Sequence, residues 1–230
     1  MIVYWTSYIE YHDNDLTFSL EEPKKLHQNI PSPIAESDYP LCGAFNEQRN
    51  LFVINSPIAY TLNIDNKTGE WNSPDHSMLD RYANFDDYSH GILQFKTNLV
   101  MFSLNSVKLR LHHPFLHHTP LTDAGNLLTG AYDCGKWIRP LNAAYYFKMK
   151  NNFNFKITQK TPLMYVEFDT PEKVELRYVY PYREIQEILY RCLNLKTSRR
   201  VPYTLKECYE RFEQHKSKKI LKQAIRKQER

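Results

Sequence analysis

Only six glycines occur in the 230 residues. Loops that cradle phosphate, and strained nucleophile turns, depend on glycine, and no Walker A, GxGxxG or GxSxG pattern is present. That excludes the common nucleotide-loop and α/β-hydrolase chemistries. The four cysteines (Cys42, Cys134, Cys192, Cys208) lie far apart and form no CxxC, so a dithiol centre or zinc ribbon is not expected. The N-terminus has no apolar leader, and no run of 18 apolar residues occurs anywhere. The chain therefore reads as cytoplasmic, with reduced thiols and no membrane partner. Asn66-Lys67-Thr68 matches a glycosylation sequon but, without a leader, reads as a turn. No HExxH is present, and none of the nine histidines is followed two positions later by Asp or Glu. A regular zinc-hydrolase motif is thus missing, and so is the usual opening of an iron facial triad.

What the chain has in abundance is aromatic residues, with 17 Tyr, 12 Phe and 3 Trp. Tyr and Phe suit half-buried pleated surfaces, so they point to strands. Residues 1–180 read as many short strands with turn punctuation. Val107, Leu109 and Leu111 alternate with Lys108, Arg110 and His112, the clearest half-buried strand, and Pro114 ends it. Strands at 92–96 and 99–104 flank Thr97-Asn98, read as a two-residue hairpin turn. Further strand pairs are read at 51–55 with 58–64, 143–149 with 153–157, and 163–169 with 173–180. The expected fold is mainly β, a sandwich or jelly-roll-like double sheet.

After Pro181 the pattern changes. Ile185, Ile188, Leu189 and Cys192 recur at helical spacing, giving a helix over roughly 182–194. Thr204 and Glu207 form a capping box that opens a second helix, with an apolar stripe at Leu205, Cys208, Tyr209 and Phe212. Beyond His215 lysines take over, and that part is expected to project or fray. The division is a β domain over 1–180 and a two-helix appendage over 181–230. Residues 216–230 carry seven Lys or Arg against one Glu, whereas the rest of the chain is near neutral. The basicity belongs to the tail.

Three places could carry chemistry. His112, His113, His117 and His118 fall within seven residues, and histidine is the commonest metal ligand. If 113–118 formed a helical turn, His113 and His117 would share a side. Asp123, Asp133, His76 or His90 could then complete a site for a divalent metal, iron or zinc. The plainer reading is a polar strand end. Arg139, in Trp137-Ile138-Arg139-Pro140, could clamp a carboxylate or phosphate, or else lie along a sheet edge beside core residues. Lys216, Lys218, Lys219 and Lys222 could contact nucleic-acid phosphates, although the nearby Glu207, Glu210 and Glu213 dilute their field. The acidic pairs Asp13/Asp15 and Asp86/Asp87 read as solvated loop charges.

The order of three signatures resembles a group of uncharacterised proteins encoded by T4-like tailed phages of marine hosts. These are an extended segment closing on Ile30-Pro31, Trp137-Ile138-Arg139-Pro140-Leu141, and Lys160-Thr161-Pro162-Leu163 opening Tyr165-Val166-Glu167-Phe168. The resemblance implies a viral origin and a stage in the host cytoplasm, and it carries over no catalytic residue. The leading expectation is a non-catalytic accessory or binding protein that meets a protein partner or a second copy of itself. A metal-dependent, oxygenase-like enzyme and a nucleic-acid contact through the basic tail are the alternatives.

Overall fold

The computed structural model describes residues 1–8, 20–31, 50–64, 71–72, 83–87, 91–147, 152–197 and 203–229. Two sheets form a sandwich-like double sheet, and helices close the C-terminal end. The first sheet has the order β14 (Glu175–Tyr178), β1 (Ile2–Ser7), β7 (Ile92–Phe102), β11 (Pro140–Phe147), β9 (Gly125–Leu127), and β6 (Ala83–Asp87) also pairs with β7. The second runs β10 (Ala131–Asp133), β8 (Lys108–His112), β13 (Pro162–Asp169), β3 (Leu51–Asn55), β2 (Lys24–Lys25). A small third sheet joins β12 (Phe153–Ile157), β4 (Tyr60–Ile64) and β5 (Trp71–Asn72). Inward residues of the two main sheets share one core, and the buried Tyr145 hydroxyl of β11 donates to the Leu163 carbonyl of β13 at 2.8 Å.

The expected strand pairs form as strands but not with one another. β3 and β4 lie in different sheets, as do β11 and β12, and β13 and β14. Thr97-Asn98 is not a hairpin. Residues 92–102 run as one strand, because a tight hairpin of the favoured kind needs positive φ at both turn residues. Asn98 has it (φ 54°), whereas β-branched Thr97 does not. The result is a bulge: β6 pairs with the first half of β7 and β1 with the second, while β11 follows both with a register shift. The Thr97 hydroxyl donates to the Leu141 carbonyl and accepts from Leu99 N at 3.1 Å, which stitches the bulge to β11.

β14 is an edge strand running parallel to β1, and both ends of its outward edge are capped by side-chain amides. Asn50 accepts from Val174 N at 2.8 Å and donates to the carbonyls of Thr170 (2.9 Å) and Glu172 (2.8 Å). Gln228 accepts from Tyr180 N at 2.7 Å and donates to the Tyr178 carbonyl at 3.0 Å. Open edges invite pairing with other chains, and these caps shorten the stretch of β14 edge that could pair.

Among the described residues three helices, not two, make up the C-terminal end: α2 (Arg183–Thr197), α3 (Leu205–Gln214) and α4 (Ser217–Gln228), besides the single-turn α1 (Pro120–Ala124). The capping box of Thr204 and Glu207 forms as read. The second helix breaks at Lys216, which adopts the left-handed conformation (φ 53°). The tail does not fray. Ser217 is buried, and Leu221, Ala224 and Ile225 are buried in the same core as Ile185, Ile188 and Phe212. Their i, i+4, i+7 spacing was the signal for it. Among the described residues no helix is long and apolar enough to cross a membrane.

Candidate functional site

The histidine segment follows β8, where Pro114 stops the ladder. Residues 113–118 form an irregular turn rather than a helix, so the expected i, i+4 pairing of His113 and His117 does not arise. Each imidazole has its own partner. His112 meets Glu167 at 2.8 Å across the β8–β13 pair, beside Arg110 and Asp169 at 2.5 Å. The His113 Nδ1 accepts from Leu127 N at 3.3 Å. His117 Nδ1 lies 2.5 Å from the Tyr165 hydroxyl, and exposed His118 lies 3.4 Å from Asp123. Burial holds the imidazoles of His113 and His117 below the ordinary histidine range.

Asp133, expected as a distant ligand, is occupied elsewhere. Its carboxylate accepts from Val107 N (3.1 Å), Gly135 N (2.9 Å) and the Ser106 hydroxyl, and Lys136 lies 3.4 Å away. Among the described residues, no group of three or more His, Cys, Asp or Glu side chains is placed to hold a metal ion. His76 and His90 lie outside the described residues. The segment instead clasps a small second core. Leu116 packs on Tyr165, Leu26, Leu51 and Val53, and the Phe115 ring stands edge-on to Tyr165 at 5.1 Å.

Arg139 is half-buried, with its guanidinium 5.3 Å from the centre of the Tyr132 ring, and Trp137 and Ile138 are core. Cys134, Cys192 and Cys208 are buried and in no disulfide, and burial pushes the Cys192 thiol up to about 12, which keeps it a poor nucleophile.

The remaining expected residues lie on α4. Burial of Leu221, Ala224 and Ile225 fixes the helix, so the opposite face is held in solvent. Lys218, Lys219, Lys222 and Arg226 are exposed there, and none is in an ion pair among the described residues. Lys218, Lys222 and Arg226 follow one another at i, i+4 steps, a single row of like charges. Lys227 is different, since it pairs with Glu184 of α2. Lys216 is exposed at the break and starts the helix. Glu207, Glu210 and Glu213 belong to α3, so the acidic residues do not share the basic helix.

No family model, no curated protein and no solved structure matches this chain.

Proposed function

We propose that the chain is a non-catalytic binding protein that engages nucleic-acid phosphates through the exposed row Lys218, Lys222 and Arg226 of α4. The observation that carries this reading is the order of the row. A helix pinned by Leu221, Ala224 and Ile225 presents cations without the entropy loss that a frayed tail would pay on binding. Neighbouring like charges at i, i+4 weaken a helix by roughly 0.2–0.5 kcal/mol per pair. A polyanion lying along the row relieves that repulsion. Within an infected bacterium, the setting that the phage resemblance implies, such polyanions are abundant.

Deleting the tail would remove buried core residues, so charge reversal is the cleaner test. Fluorescence anisotropy with labelled duplex DNA should show affinity falling steeply with salt, with a log–log slope of about −0.9 per phosphate neutralised. In K218E/K222E/R226E the slope should shrink by about 2 to 3 and binding should weaken strongly. Binding that is unchanged in the variant, or indifferent to salt between about 50 and 200 mM, overturns the reading.

A further inference from the structure

A concavity lies between the edges of the two sheets, and Ile2 on its wall also lines a separate cleft with Lys218 and Lys222 of α4. The concavity encloses about 1010 Å³ and opens to solvent on one side. Lys24, Lys25 and Phe52 form the wall on the second sheet, and Ile2, Lys173 and Leu176 form the wall on the first. The segment 20–29 crosses this side of the sandwich, held by buried Pro23 and Leu26 and by the β2–β3 pairing. Lys25 reaches over the Phe52 ring, with its ammonium 5.8 Å from the ring centre. Burial first, and then the like charge of Lys173, hold the Lys25 ammonium below the ordinary lysine range. None of Lys24, Lys25 and Lys173 is in an ion pair among the described residues, although Glu22 and Glu175 also reach the groove. Glu175 is engaged by Arg177 at 2.7 Å, and Glu22 is in no ion pair among the described residues.

Strand addition at the β14 edge is opposed by Asn50 and Gln228, which cap that edge at both ends. A concave space with an apolar floor and converging cations is the ordinary form of a small-ligand site. We infer that this groove binds an amphiphilic anion, its phosphate or carboxylate head between Lys25 and Lys173 and its apolar body along Ile2, Phe52 and Leu176. The head would draw together two ammonium groups that otherwise repel each other, and the body would cover apolar surface that the two sheet edges leave open.

Decanoate and decyl phosphate serve as probes of the two head groups, with inorganic phosphate as the control that has a head and no apolar body. Binding is read by calorimetric titration of the full chain. At least one amphiphile should bind and raise the thermal midpoint. Affinity should fall at least about tenfold in K25Q/K173Q, as loss of two charge-assisted contacts requires. It should be kept in K25R/K173R, which preserves the charges and controls for folding. It should also be kept in K218E/K222E/R226E, which separates this site from the cationic row of α4. Equal binding in K25Q/K173Q, no binding of either amphiphile, or inorganic phosphate binding as tightly as both would each overturn the inference.

Discussion

The histidine segment and the basic helix are the two stretches where ionisable side chains crowd together, and their fates in the fold are opposite. In the segment after β8 each histidine finds a partner within the chain: Glu167, Leu127 N, Tyr165 or Asp123. On α4 the cations of the central row find none among the described residues. Density of a functional residue type therefore says little about a site. What matters is whether the fold leaves the groups unsatisfied. The histidines sit where a strand end, a turn and a second small core meet, so packing and hydrogen bonds use them. The lysines sit on the exposed side of a helix whose other side is in the core, and Lys218 and Lys222 rim a cleft beside Ile2, Tyr4 and Asn105.

The contrast breaks most sharply if α4 is not part of the core. Leu221 is 1% exposed, and Leu221→Ala should lower unfolding stability by about 2–5 kcal/mol, the range for a buried leucine. Urea denaturation measures it. A change near zero would mean that the helix frays and that its cationic row is not held in place.

The next effect tests the other side of the comparison. His113 and His117 are held below the ordinary value of about 6.5, chiefly by burial, while Asp123 and the Asn29 backbone pull them partly back. The unfolded chain thus binds more protons than the folded one as pH drops below about 6.5. Stability is fully present above that pH and is lost as pH falls toward the folded values. Denaturation midpoints should decline from pH 7.5 to 5, and in H113Q/H117Q the decline should flatten. An equal slope in the variant would show that the two imidazoles are not protected by burial.

The smallest effect concerns the joint between the two acidic and basic helices. Lys216 is in the left-handed region, where a side chain costs about 1–2 kcal/mol and glycine costs nothing. Lys216→Gly relieves that strain but frees the unfolded chain, an opposing term of about 0.4–1 kcal/mol. A net gain of up to about 1 kcal/mol in unfolding stability is expected. A loss would mean that the αL turn is not what separates α3 from α4.

Local pattern was enough for several elements. The alternation of 107–112 becomes β8, Thr204 and Glu207 cap α3, and the aromatic richness becomes sheet. Each depends on neighbours within a few residues, and so it is written in the order of the side chains. The tail was misread as fraying: Leu221, Ala224 and Ile225 recur at helical spacing, but the surrounding lysines mask the stripe. Partnerships across the chain were not legible. β14 reaches β1 from the far end of the sequence, and the hairpins expected between successive strands gave way to strands that change sheet. The groove belongs to the same class: Lys25 and Lys173 have no local pattern in common, and they line one groove only because two sheet edges end side by side. Sequence alone determined that this chain folds into strands with helices at its end, because periodicity and capping act over one or two turns of backbone. Which ionisable groups are satisfied and which stay free was decided by the tertiary structure, because burial and pairing are set by residues far apart in the chain.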